Sequence, residues 1–553
     1  MIEKFVPQTE FSSYEDFKQN YKLIVPENFN FAYDIIDGWA AEDDNKPALF
    51  WCDDEGHEKE FTFGDIKRLS NKVANYYKKL GIKKGDKVML MLRQRPEAWI
   101  CIVALCKLGA VSIPATFQLT PKDIEYRCNS AEIKMITAVD DDEIIKHIEL
   151  SKDKCTTLEK IGIVGTNIPD GMLDFRTEYM KESDVFDRPT GAEGTTNEDT
   201  MLIYFSSGTS GMPKMIRHDF RYPLGHIVTA KYWQKVQDGG RHLTMSDSGW
   251  AKFAWGKIYG QWICGAEIVA YDDKKFNPAH LLATLRRIKP VTFCAPPTVY
   301  RFLIKEDITK EDFASVQHAC IAGEPLNPEV YNRFYDLTGL HLTEGFGQTE
   351  TTVIIANFGW FDVKPGSTGK PSPIYDIDIV DADGNSCEDG IVGSIVIRNA
   401  EADRPAGLFR EYYRDDEANA KAWQNGMYNT GDTAWRDADG YYWFVGRNDD
   451  VIKCSGYRIG PFEVESALLT HKSVLECAVT AAPDPIRGQV VKATVVLAKG
   501  YTPSDELRKE LQNHVKVTTA PYKYPRILEF VDELPKTISG KIKRAEIRKE
   551  DNK

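Results

Sequence analysis

Between residues 63 and 138 the chain alternates helix-like and strand-like segments, which constrains its fold more than any other feature. Residues 63–80 carry apolar side chains at helical spacing and stop at Gly81, a residue suited to a helix C-terminus. Residues 87–92 are a short apolar run with the length of a buried strand. The pair then repeats, with a helical pattern over 96–108 ending at Gly109 and a strand at 111–113. Thr120, Pro121 and Asp123 compose a helix start: a capping hydroxyl, a proline in the first turn, and an acid facing the positive helix end. Residues 134–138 supply one more strand. Apolar strands alternating with helices predict a parallel sheet covered by helices, an α/β fold.

The remainder divides by composition. Residues 150–200 are polar and weakly periodic, as expected of a surface connection between subdomains. Residues 357–425 are rich in Gly and Pro, with short apolar runs such as 393–398, which predicts a small β-rich subdomain. Past Arg447 the α/β pattern restarts, with helix 461–470, strands 475–482 and 490–498, a helix from Thr502-Pro503 to about Val515, and strand 527–531. That is a compact unit of about 100 residues. A chain of 553 residues exceeds what one core supports. The expectation is a large N-terminal domain (1–448) of β/α subdomains plus the small β-rich subdomain, and a small mobile α/β C-terminal domain (449–553).

Composition excludes several classes. Hydrophobic residues at 42% and charged residues at 28% describe a globular chain, not a disordered one. Eleven cysteines include no CxxC pair, which disfavours zinc sites and a disulfide framework and favours buried, reduced thiols. Residues 1–7 lack the basic region and apolar run of a signal peptide. The longest apolar run, 98–106, is well short of the ~18 residues a spanning helix needs. A soluble, cytoplasmic protein without membrane insertion is expected. The net charge of −13 disfavours nucleic-acid binding. From Asp450 onward, however, 18 Lys and Arg stand against 14 Asp and Glu. That basic end is either a solvated tail or a module that meets an anion.

A strand-like run at 201–205 leads into Ser206-Ser207-Gly208-Thr209-Ser210-Gly211-Met212-Pro213-Lys214. Small residues let backbone N–H groups turn inward as an anion cradle, hydroxyls add donors, and Lys214 adds charge. The spacing is not that of a Walker A loop, which needs Gly-Lys-Ser/Thr at its end. Taken alone, the segment also reads as a flexible surface loop.

Five further motifs follow it: Ala322-Gly323-Glu324-Pro325-Leu326, Glu344-Gly345-Phe346-Gly347-Gln348-Thr349-Glu350, Tyr428-Asn-Thr-Gly-Asp432, the long segment from Gly446-Arg447 through Asp449 to Glu465, and Pro535-Lys-Thr-Ile-Ser-Gly-Lys541. Singly, each is an ordinary turn or a solvated charge. In this order they resemble the motifs of the acyl-adenylate-forming superfamily, which contains acyl-CoA synthetases, peptide-synthetase adenylation domains and luciferases. The resemblance is strongest to medium-chain and branched-chain acyl-CoA synthetases, relatives of acetyl-CoA synthetase.

The resemblance implies ATP, Mg²⁺ and coenzyme A as small-molecule partners. It implies that Gly323, Glu324 and Pro325 line the adenine, with Glu344, Gly345, Phe346, Gly347 and Gln348 alongside. Thr349 would donate to the α-phosphate, Glu350 would hold Mg²⁺, and Asp432 with Arg447 would hold the ribose. Lys214 would stabilise pyrophosphate, and Lys541 would bridge the carboxylate and the α-phosphate. The C-terminal domain would pivot at Asp449 between two half-reactions. Ser455, Gly456 and Tyr457 would then border the pantetheine tunnel, and Arg487, Lys516, Lys523 and Arg526 would meet the CoA phosphates.

Acetyl-CoA synthetases carry Trp where this chain has Gly347, so a larger acyl pocket is expected here. Trp250, Lys252 and Trp255 are its other candidate walls; Lys252 and Trp255 share a helix face, though a core Trp255 and a surface Lys252 would serve equally. The implied substrate is a short-branched or medium-chain acid, with aromatic acids in range. The competing readings are an aryl or amino-acid adenylating ligase, a luciferase-like oxygenase, and a non-catalytic acyl-AMP binding protein.

Overall fold

A computed structural model describes residues 1–206, 212–454, 457–484, 487–537 and 541–551, without the side chains of Arg458, Glu550 and Asp551. Among these residues there are four sheets. The expected helix–strand alternation builds the first. Strands Thr200–Phe205, Val111–Pro114, Lys87–Met91, Ile133–Val139 and Lys160–Val164 lie side by side and parallel. Met215–Asp219 turns back antiparallel beside Thr200–Phe205. Helix Glu97–Leu108 is buried at all twelve positions, as a helix apolar on every side must be.

The helix starts read from sequence are present. Thr120 accepts from the Asp123 amide and Asp123 answers with its carboxylate to the Thr120 amide. Thr62 and Asp65 repeat the arrangement ahead of Phe63–Lys79. The segment 150–200 is more than a connection, because Lys160–Val164 and Leu173–Asp174 extend the sheet and Phe175 is buried beneath it.

The second sheet has a parallel centre in the order Leu342–Phe346, His318–Ala322, Thr292–Ala295, Arg241–Thr244, Glu267–Asp272 and Pro47–Asp53. The third is antiparallel: Ile377–Val380, Gly393–Ile397, Met427–Arg436, Trp423–Gln424 and Tyr442–Arg447. It is the expected β-rich unit, extended to Arg447 by two long strands that the turn-like Tyr428–Asp432 sequence conceals.

The fourth sheet joins Tyr457–Ile459, Ile452–Cys454, Gly488–Leu497 and Val474–Asp484, with Ile527–Phe530 parallel to Gly488–Leu497. Helices Pro461–Leu469 and Asp505–Thr518 cover it. The second of these is capped by Ser504 rather than starting at Thr502. This unit has its own core, which includes Val464, Leu468, Val479, Val495, Leu511 and Leu528. The fold is therefore a large N-terminal α/β domain with a small C-terminal one. The cysteines are thiols rather than disulfides, and all but Cys387 are buried. No helix among the described residues is long and apolar enough to cross a membrane.

Candidate active site

Loops leaving the C-terminal ends of strands in the two large sheets supply residues 206–214, 323–326 and 347–350, the usual place for ligands in parallel sheets. Strand Thr200–Phe205 leads into the glycine-rich loop. Its base is closed twice: the Ser206 amide donates to the Lys214 carbonyl, and the Lys214 amide to the Ser206 hydroxyl, each at 2.9 Å. Ser207, Gly208, Thr209, Ser210 and Gly211 lie outside the described residues. The Lys214 ammonium sits 4.5 Å from the centre of the Tyr412 ring. The Tyr412 hydroxyl donates to Glu350 at 2.8 Å. One phenol thus joins the lysine of the loop to the candidate metal carboxylate. Burial raises the Glu350 pKa, and the Tyr412 hydrogen bond opposes the rise.

Strand His318–Ala322 ends at Gly323, whose φ of 105° requires glycine. Glu324 and Pro325 follow, half-buried, with Glu324 near Thr298 at 3.3 Å and Arg301 at 3.6 Å. Glu344, expected beside the nucleotide, lies on strand Leu342–Phe346 next to the 323–326 loop. It is buried, and its two oxygens accept from the Leu326 amide and the Thr368 hydroxyl, both at 3.1 Å. Burial pushes its pKa to about 7 against those two bonds. Its carboxyl ties the 323–326 loop through the Leu326 amide. Gly345 is where the Trp233 indole lies closest, since a Cβ there would be 2.5 Å from it.

Beyond Leu342–Phe346 the chain enters Gln348, Thr349 and Glu350. Gln348 donates to the Thr430 carbonyl at 2.7 Å and to Asp432 at 2.5 Å, and accepts from the Tyr428 hydroxyl at 2.8 Å. Asp432 and Arg447 stand opposite each other on paired strands. Burial lifts the Asp432 pKa to about 6, held back by Arg447, Gln348 and Lys541. The Thr349 carbonyl is 2.8 Å from His218 Nε2. Burial drives the His218 pKa down to about 3, so the ring is neutral and carries its proton on Nε2, facing that carbonyl. The Phe346 ring packs 5.7 Å from that of Phe444.

Lys541 is exposed, on a loop tied by two bonds to Thr537, at 2.7 and 3.1 Å. Its charge is one of the weaker influences lowering the Asp432 and Lys252 pKa values. Asp449 pairs with Arg447 at 3.5 Å where the domains join.

Trp250 precedes the short helix Ala251–Gly256, which carries Lys252 and Trp255. The Lys252 ammonium reaches inward to the Ala322 carbonyl at 2.7 Å, and burial lowers its pKa. The room expected at Gly347 is already taken. A Cβ there would lie 2.3 Å from the Trp255 ring and 2.4 Å from the Thr352 carbonyl. Trp255, only 5% exposed, supplies from another element the indole that Gly347 lacks.

In the C-terminal domain Tyr457 stacks on Tyr522, with ring centres 4.1 Å apart. Lys516 lies 4.1 Å from the Tyr524 ring centre and Arg526 donates to its hydroxyl at 2.6 Å. Lys523 is ion-paired with Glu463. The Arg487 amide donates to Asp484 within a turn. Ser455 and Gly456 lie outside the described residues. Tyr412, His218 and Thr368 had no sequence signal of their own. Only strand pairing between distant segments, such as Glu411–Tyr412 with Met215–Asp219, brings the first two to the site.

Motif loops at the strand ends of two largely parallel sheets, with a separate small domain following them, are the architecture of a nucleotide-binding α/β enzyme. The chain belongs to the AMP-binding enzyme family: residues 36–413 match that family and residues 463–541 match the AMP-binding enzyme C-terminal domain. It is 44% identical over 550 residues to acyl-coenzyme A synthetase ACSM3, mitochondrial, of Homo sapiens, covering 98% of this chain and 93% of that protein. It is 42% identical over 534 residues to acyl-coenzyme A synthetase ACSM4, mitochondrial, of Homo sapiens, covering 95% and 91%. Among solved structures it resembles the anthranilate CoA ligase AuaEII in complex with anthranoyl-AMP, with a TM-score of 0.85, 29% identity, and coverage of 95% of this chain and 98% of that one. An acyl-CoA synthetase of Brucella canis matches with a TM-score of 0.71 and 30% identity, covering 95% and 94%.

Proposed function

We propose that this protein is an AMP-forming acyl-CoA ligase for a short-branched or medium-chain carboxylic acid. One observation carries the reading: separate motifs meet in space, with Gln348 donating to Asp432 and to the Thr430 carbonyl, and Asp432 in register with Arg447 on the neighbouring strand. Relatives named acyl-coenzyme A synthetases, matched along nearly their whole length, support it.

A carboxylate is a poor acyl donor because its leaving group would be oxide. In the first step its oxygen attacks the α-phosphorus of ATP, and the bond to pyrophosphate breaks. Two anions must approach, so fixed positive charge between them is the main catalytic need. Lys541 supplies it, with Thr349 donating to the α-phosphate. Residues 206–211 and Lys214 hold the departing pyrophosphate. Asp432 and Arg447 hold the ribose, with Gln348 fixing the Asp432 carboxylate. Gly323, Glu324, Pro325 and Phe346 line the adenine.

Glu350, a half-buried carboxylate whose side-chain partner is a phenol, suits Mg²⁺, which takes oxygen ligands and shares them with phosphates. Bound there, Mg²⁺ would neutralise phosphate charge. In the second step the CoA thiol attacks the acyl carbon and AMP leaves. Rotation at Asp449, the boundary between the two domains, withdraws Lys541. It brings Ser455, Gly456 and Tyr457 to the pantetheine, and Arg487, Lys516, Lys523 and Arg526 to the CoA phosphates.

The test is pyrophosphate release over a panel of carboxylic acids, with and without CoA. Lys541→Ala should lose adenylation from ATP by about 100-fold or more, while CoA transfer from supplied acyl-AMP persists. Equal loss of both half-reactions rejects the two-orientation scheme. Benzoate and anthranilate belong in the panel because the Trp255 ring stands at Gly347. Release with these acids alone would replace the aliphatic assignment with an aromatic one.

A further inference from the structure

Two adjacent acids at the domain junction are held from opposite sides. Asp449 pairs with Arg447, at the end of the last strand of the third sheet. Asp450 is paired with Arg548, and Arg544 lies 3.9 Å from it. Both arginines belong to helix Arg544–Asp551, which begins three residues after Lys541. Arg544 also binds both oxygens of buried Glu465 at 2.8 Å. Glu465 in turn accepts from the Val479 amide at 2.8 Å. Ile547, on the same helix, is buried with Ala478, Val496 and Leu534. The junction turn is closed by the Asp450 and Val451 amides, which both donate to the Arg447 carbonyl, at 3.0 and 3.1 Å.

We propose that Asp450, Arg544 and Arg548 are positioning residues that lock the hinge to the Lys541 loop, so that rotation at Asp449 carries Lys541 as part of one rigid body. This rests on the two-step reading above. A hinge transmits motion only if nothing between pivot and load yields. Among the described residues, Lys541 is otherwise tied through its two bonds to Thr537, the Lys543 amide donating to the Pro535 carbonyl at 2.9 Å, Lys536 paired with Glu476 at 2.8 Å, and the packing of Ile547. The pairs to Asp450 shorten the path from hinge to lysine to a single contact. Asp450 is little exposed, at 13% of its side chain, so the contact is shielded from water and salt.

The experiment compares Arg548→Gln and Asp450→Asn with the full-length wild-type enzyme in the two half-reactions separately. ATP-dependent pyrophosphate release should fall about 10- to 100-fold, the usual cost of a misplaced catalytic group. CoA transfer from supplied acyl-AMP, which does not use Lys541, should stay within about twofold. The swapped pair Asp450→Arg with Arg548→Asp should recover most of the adenylation rate. If a Gln or Asn variant does not fold, Arg548→Lys is read by the same split. Equal loss in both half-reactions, or loss in neither, overturns the proposal. A wild-type protein that makes no acyl-CoA from any acid would instead overturn the function on which it rests.

Discussion

Asp432 shows how a carboxylate can be tuned for a neutral ligand. Burial alone would leave it protonated over a wide range, while Arg447, Gln348 and Lys541 pull its pKa back to about 6. Only the ionised form accepts from two ribose hydroxyls at once. The KM for ATP should therefore rise as pH falls through about 6, and Asp432→Asn should abolish that rise while weakening ATP at neutral pH. Kinetics from about pH 5 to about pH 8 decide it. A KM that ignores pH would place the ribose elsewhere. The meeting of residues 432 and 447 was legible in the sequence because their two motifs stand in order with four others that resemble one family's. The direction of a side chain was not legible. Glu344 sits in as clear a motif, yet nothing in the sequence shows that its carboxylate accepts from the Leu326 amide. Tyr412 was illegible because its partners lie at Lys214 and Glu350, far away in the chain.

Among elements, the short helix Ala251–Gly256 places Trp255 against Gly347. Lys252 and Trp255 share a face as the helical spacing required, and both are turned inward. The sequence alone made Gly347 an opening, because a missing indole leaves room only if nothing else moves in. Trp255 has moved in. Gly347→Trp in the wild-type background should consequently overpack the site and destabilise the protein by about 1–3 kcal/mol, visible as a lower melting temperature. Trp255→Ala should shift preference toward longer or bulkier acids, and in that background Gly347→Trp should be tolerated. Equal melting temperatures for Gly347→Trp and wild type would show that the two groups do not compete. Helix starts such as Thr120–Asp123 were readable because capping is local. The long strands Met427–Arg436 and Tyr442–Arg447 were not, because partners in the third sheet hold a turn-like sequence extended.

At the scale of the molecule, the C-terminal unit has a core separate from those of the N-terminal domain. Heating should therefore give two calorimetric transitions, the smaller with an enthalpy of about 60–80 kcal/mol, appropriate to roughly 100 residues. A single cooperative transition would mean that the domains unfold as one body. The margins of the two large sheets carry a different consequence. The second sheet ends on Glu58–Thr62, charged and largely exposed, and on the two-residue Lys370–Pro371. The first ends on Glu411–Tyr412 and Leu173–Asp174, two residues each. A stray strand from another copy would find charge, proline or too few open amides to pair with. Sheets this wide usually invite aggregation at their borders; these borders are closed to it, and the protein should stay dispersed in concentrated solution.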